Sequence, residues 1–297
     1  MTSLRLTAAL AGVLALAACA TTAPQAANAP APERAHTAGA NVHVLAPMHI
    51  AGLDRDRIVR IYLPPGYNAS TDRYPVLYLQ DGQNLFDDAT SYVGEWGVDE
   101  SLDALARDGL PFIAVGIDHG GEKRINELAP WLLPKLGTAE GDAYLAFVTD
   151  TVKPYVDAHY RTKSDRDHTL IGGSSMGGVM AHYAIEQHPE LFGKALVFSP
   201  AFWTGGDAPL EFTRGRTLSP GTRYYAVTGG KEGDEALGDL RGMTDVLRAN
   251  ASPGVVLFSE VREGAEHNET FWKSEFPRAV RWLFAEDGAA RSGDTEK

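Results

Sequence analysis

The chain has 297 residues, of which 44% are hydrophobic and 22% charged, so it holds enough apolar material to bury a sizeable core. A formal net charge of -12 leaves no basic surplus for a phosphate backbone, and nucleic acid is excluded as an expected partner. The single cysteine, Cys19, rules out an intramolecular disulfide and a CxxC metal site. No HExxH segment, clustered His/Cys set or GxGxxG fingerprint occurs, so neither a metal nor a cofactor is expected.

In chain order, Arg5 precedes an apolar run from Leu6 to Ala18, which reads as an export signal over residues 1–19. The run is too short for a stable membrane-spanning helix. Its end, Leu16-Ala17-Ala18-Cys19, resembles a bacterial lipobox. That resemblance implies lipidation of Cys19, export to the periplasm, and membrane contact through this anchor alone. Residues 20–40 are mostly Ala, Pro, Thr and Asn, too poor in large apolar groups to fold, and are expected to form a flexible tether. One domain is expected over 41–285, followed by a polar, frayed tail over 286–297.

Within the domain, Arg57–Leu63 alternates with period two and stops at Pro64-Pro65-Gly66, as a strand and turn would. Nearly continuous apolar runs at Tyr74–Gln80, Pro111–Ile117, Leu170-Ile171, Ala195–Ser199, Tyr224–Thr228 and Val255–Val261 suit strands covered on both faces. Between them lie helical patterns at Val98–Arg107, Asp142–His159, Met176–His188, Glu235–Asn250 and Thr270–Phe284. This alternation predicts an α/β fold, with a mostly parallel central sheet and helices on both faces.

After Leu170-Ile171 comes Gly172-Gly173-Ser174-Ser175-Met176-Gly177-Gly178. The pattern G-x-S-x-G fits one register, Gly173, Ser175, Gly177, because Ser174 would need glycine where Met176 stands. A serine on a sharp strand-to-helix turn presents its hydroxyl beyond the sheet edge, which makes Ser175 the candidate nucleophile. A hydroxyl needs a base to take its proton. Of the nine histidines only His267 lies beyond residue 188, just after the last expected strand, where this arrangement places the base. The acid that would orient the imidazole is sought in Gly229–Glu235, with Glu232 favoured and Asp234 the alternative. Two backbone N–H groups, those of Met176 and Gln83, are the expected oxyanion hole.

These pieces resemble the putative-esterase branch of the α/β-hydrolase superfamily, which includes siderophore esterases, feruloyl esterases and esterase D. The similarity runs from about Arg57 to Phe284, through Tyr78-Leu79-Gln80-Asp81-Gly82-Gln83-Asn84-Leu85-Phe86-Asp87, Arg124-Ile125-Asn126-Glu127, Phe198-Ser199-Pro200-Ala201-Phe202-Trp203 and His267-Asn268-Glu269. It implies an α/β-hydrolase fold and hydrolysis of a small-molecule ester through an acyl-enzyme, with Asp81–Asp87 and Arg124–Glu127 leaning toward the siderophore-esterase-like group. Arg124 is then placed at the mouth of the site, able to bind substrate or to form an ion pair with Glu127 or another acid. Trp203 would form a wall for an aromatic or sugar group, or pack in the core. Acyl transfer by the same residues, and a lipid-tethered binding protein without catalysis, are the competing readings.

Overall fold

Residues 34–132 and 137–285 are described in this computed structural model. The expected signal at 1–19, residues 20–33 of the expected tether and the expected tail at 286–297 lie outside the described residues. Residues 34–40, assigned to the tether on composition, are instead fastened by polar contacts. Arg34 bonds Ser91, His36 Nδ1 lies 2.6 Å from Asp87, and the Gly39 N–H donates to Asp99 at 2.8 Å. Composition gauges apolar burial, and this segment is held without any.

The elements follow in the order β1 (Val42–Val44), β2 (Met48–Ile50), β3 (Arg55–Arg57), β4 (Val59–Tyr62), β5 (Val76–Gln80), α1 (Val98–Arg107), β6 (Ile113–Ile117) and α2 (Arg124–Glu127). Next come α3 (Gly141–Phe147) and α4 (Lys153–His159), joined by the π-turn Val148–Val152. The remainder is β7 (Thr169–Ser174), α5 (Met176–Gln187), β8 (Lys194–Phe198), α6 (Ala208–Arg214), β9 (Arg223–Gly229), α7 (Asp234–Ala249), β10 (Val256–Arg262) and α8 (Glu269–Phe284). One sheet of eight strands runs β1-β4-β6-β5-β7-β8-β9-β10, while β2 and β3 form a separate ribbon. Within the large sheet the first two pairings, β1 with β4 and β4 with β6, are antiparallel, and the others are parallel. This is the mostly parallel α/β sheet that the alternating pattern predicts, in the α/β-hydrolase fold that the resemblance implies. The expected strand 57–63 is shorter, because Arg57 ends the small ribbon and only Val59–Tyr62 joins the large sheet.

Each parallel strand is apolar throughout because both of its faces are covered. Successive residues of β5 point to opposite sides: Val76 and Tyr78 join one core, Leu77 and Leu79 the other. The first core is closed by α3, α4, α5 and α7, the second by α1 and α8. Each fully buried Leu, Ile or Val contributes roughly 1.5–3 kcal/mol by leaving water. Because β5 to β10 run in one direction, the connections leaving their carboxyl ends gather along one edge of the sheet, where such folds place their sites.

Candidate active site

β7 lies between β5 and β8 near the middle of the sheet and delivers Ser175 to that edge. Ser175 has φ 56° and ψ -122°, a strained backbone conformation for a residue with a side chain. Its N–H donates to the Phe198 carbonyl at 2.9 Å, and its carbonyl accepts from Val179 and Ala201 at 3.1 and 3.2 Å. The flanking glycines have a direct steric cause. A β-carbon on Gly173 would stand 2.8 Å from the Gly177 backbone, and one on Gly177 would stand 2.9 Å from Gln80 Cβ. The spacing therefore lets strand and helix meet closely enough to hold the strained turn.

The loop after β9 brings Glu232, and the loop after β10 brings His267. His267 Nδ1 lies 2.7 Å from Glu232 Oε2. A carboxylate only accepts, so Nδ1 carries the proton and Nε2 is left as the acceptor nitrogen. Glu232 Oε1 accepts from the Gly229 N–H and from Ser199 Oγ, each at 2.6 Å. Burial alone would raise the pKa of this carboxyl, but the bonds from His267, Ser199 and Gly229 outweigh it and hold it below the ordinary glutamate range. Asp234, the other acid open at this point, is exposed as the first residue of α7. Ser175, Ser199, Trp203, Glu232 and His267 line a common cavity of about 350 Å³.

Met176 is the first residue of α5, where backbone N–H groups have no acceptor within the helix. Gln83 sits in the one-turn 3-10 segment Gly82–Asn84 after β5. Its carbonyl accepts from Thr90 Oγ1 at 2.8 Å, and its side-chain Oε1 accepts from the His119 N–H at 3.1 Å. Gly82 is required here, since a β-carbon would fall 2.6 Å from the Gly116 backbone in β6. Asp81 opens this turn in the left-handed region, φ 58°. Its carboxylate takes a two-pronged ion pair from Arg124, Nε to Oδ1 at 2.6 Å and Nη2 to Oδ2 at 2.8 Å. Of the acids open as partners of Arg124, Glu127 belongs instead to Arg57, at 2.7 Å, and to Arg55, at 3.0 Å. Burial raises the Glu269 carboxyl above its ordinary range and lowers the His119 imidazole below its own. Trp203 is 51% exposed on the cavity wall, which distinguishes it from a core tryptophan.

A family model described as "Putative esterase" matches residues 50–283. The chain belongs to the putative esterase family. Among relatives, it is 27% identical over 254 residues to the uncharacterized protein YbbA of Bacillus subtilis, spanning 80% of this chain and 96% of that one. The fold is shared with the BES protein from Bacillus cereus (TM-score 0.70, 17% identity, 86% of this chain and 98% of that one). It is shared too with the enterobactin esterase of Shigella flexneri, solved with 2,3-dihydroxy-N-benzoyl-glycine (TM-score 0.66, 19% identity). That alignment covers 84% of this chain and 61% of the Shigella protein.

For this member of the esterase family, sequence reasoning brought Ser175, His267 and Glu232 to one cavity but overlooked two features beside them. In the sequence, Ser199 and Asp81 each stand out only as members of a shared segment. The signal for Asp81 was an acid in one shared segment and a basic residue, Arg124, in another. For Ser199 there was none beyond its place at the end of a strand.

Proposed function

We propose that this esterase-family protein is a serine carboxylic-ester hydrolase, with Ser175 as nucleophile, His267 as general base and Glu232 as the orienting acid. The observation that carries it is the Glu232–His267 bond of 2.7 Å in the cavity that Ser175 also lines. With Nδ1–H committed to Glu232, Nε2 takes the Ser175 proton as Oγ attacks the acyl carbon. The Met176 and Gln83 N–H groups stabilise the oxyanion. The tetrahedral intermediate collapses, the alcohol leaves with the proton from Nε2, and water repeats the cycle on the acyl-enzyme to release the acid. The half-exposed Trp203 ring favours an aromatic group beside the scissile ester, in line with the aryl ligand of the Shigella structure.

The test is labelling of purified protein by a fluorophosphonate, with p-nitrophenyl acetate turnover, each compared with Ser175→Ala. Labelling and turnover that vanish in the variant are the expected result. A folded wild-type protein that does neither overturns the hydrolase reading in favour of a binding protein, and turnover only with an added alcohol points to acyl transfer. Lipidated export through Cys19 belongs to the same proposal, on the strength of Leu16-Ala17-Ala18-Cys19. Incorporation of an alkyne fatty acid in cells, lost in Cys19→Ala, is its expected mark.

A further inference from the structure

At the end of β8, Ser199 takes φ 43°, a left-handed conformation that glycine adopts freely and other residues at a cost. Its N–H is tied to the Val227 carbonyl at 2.7 Å, and the residue is buried. The side chain that replaces the more comfortable glycine makes two bonds. Its Oγ lies 2.6 Å from Glu232 Oε1 and 3.0 Å from Trp272 Nε1. The direction is fixed by chemistry: an indole nitrogen only donates and a carboxylate only accepts, so the hydroxyl accepts from Trp272 and donates to Glu232.

The same Trp272 ring meets the His267 imidazole nearly edge-on, with centroids 5.1 Å apart and planes at 84°. Trp272 is itself buried and packed against Trp96, centroids 5.8 Å apart. Trp272, Ser199, Glu232 and His267 therefore form a closed ring of contacts. One end rests in the hydrophobic core beneath α8 and the other on the imidazole.

We propose that Ser199 and Trp272 are positioning residues of the catalytic centre. They hold the Glu232 carboxylate by one oxygen so that the other is aimed at His267, and they fix the plane of the imidazole. This inference rests on the serine-hydrolase reading, and its test is built to fail separately from it.

The full-length protein is compared with Ser199→Gly, Trp272→Phe and the double variant. Glycine suits the backbone at 199 and offsets part of the cost of the two lost bonds, so Ser199→Gly should remain folded, which a melting curve checks. Its kcat for p-nitrophenyl acetate should fall about ten- to a hundredfold, the scale of one lost hydrogen bond to a charged group, with KM unchanged. Fluorophosphonate inactivation should slow by the same factor. Trp272→Phe keeps a ring and removes the N–H, and should lose less. The double variant should be no slower than Ser199→Gly, because the chain of bonds is already cut. The downfield proton resonance of His267 Nδ1–H, assigned by its loss in His267→Gln, should weaken or exchange faster in Ser199→Gly.

Wild-type kcat and inactivation rate in a folded Ser199→Gly would overturn the proposal, as would activity lost only in proportion to folded protein. Should wild type prove inactive, the resonance decides alone: altered by Ser199→Gly, the positioning role stands without the hydrolase reading. Unaltered, the positioning role falls.

Discussion

Two glutamates of this protein are almost equally hidden and behave in opposite ways. The Glu232 side chain is 3% exposed and the Glu186 side chain 2%. Glu232 has donors on both oxygens and stays below the ordinary carboxylate range. Glu186, on α5, has one oxygen bonded to Thr213 Oγ1 at 3.1 Å, while its Oε2 has no hydrogen-bond partner among the described residues. Burial pushes its pKa up to about 7, against the smaller pull of that Thr213 bond. Beside it, burial lowers His182 to about 3, so its neutral imidazole links Tyr224 to Thr213 without a charge. Burial opposes the charged form of both acids. The number of donors decides whether a charge persists.

Replacing Glu232 by Gln breaks the first half of that contrast and carries the largest expected effect. A neutral amide cannot hold the Nδ1–H tautomer with the same charge, and kcat should fall about a thousandfold or more while the thermal midpoint moves little. Steady-state kinetics beside a melting curve reads both. Arg124→Met strips Asp81 of its two-pronged donor and strands a buried carboxylate. A loss of about 3 kcal/mol in chemical denaturation is expected, with much of it recovered in the Asp81→Asn, Arg124→Met double variant.

Glu186→Gln sharpens the second half. A carboxyl whose pKa is raised on folding contributes stability that is fully present below its unfolded value and is lost as pH rises through the folded one. Glu186 therefore weakens the fold between about pH 4.5 and 7, whereas Glu232, lowered on folding, weakens it only as pH falls below the ordinary glutamate value. At about pH 8 Glu186→Gln should be more stable than wild type by about 3 kcal/mol, and the two should converge near pH 4. Thr213→Val, which removes the hydroxyl that donates to Glu186, should extend the loss of stability to higher pH and deepen it by about 1 kcal/mol. Melting temperatures across that range follow both variants.

The parts of this molecule legible in its sequence are those governed by local spacing. Gly173, Ser175 and Gly177 could be read because a strained turn pressed on both sides by backbone admits few alternatives. Strands buried on both faces are apolar runs, and β5, β6, β8 and β9 could be read as such. The strand leading to Ser175 looked short because Gly172 and Gly173 belong to it; a β-carbon on Gly172 would sit 3.0 Å from Leu196 Cβ. The 142–159 helix was visible, but not the π-turn inside it, because one extra residue per turn leaves the apolar pattern almost intact. β1, β2 and α6 are too short for periodicity to register. Within the site, residues paired across the fold were the hard ones. Arg124 finds Asp81, 43 positions away, and Ser199 finds Trp272, 73 positions away; neither separation leaves a periodic trace.

The segment that precedes β1 has a practical meaning for anyone handling this protein. Arg34, His36 and Thr37 grip Asp87, Asp88 and Ser91, and the same loop reaches the Gln83 carbonyl through Thr90. A load applied ahead of residue 34, whether from a bead, a fusion partner or an acyl chain, is thus borne a few bonds from the Gln83 turn. The far end of α8 offers a quieter handle: Phe284 packs on Phe112, centroids 4.8 Å apart, where β6 begins and the opposite edge of the sheet lies.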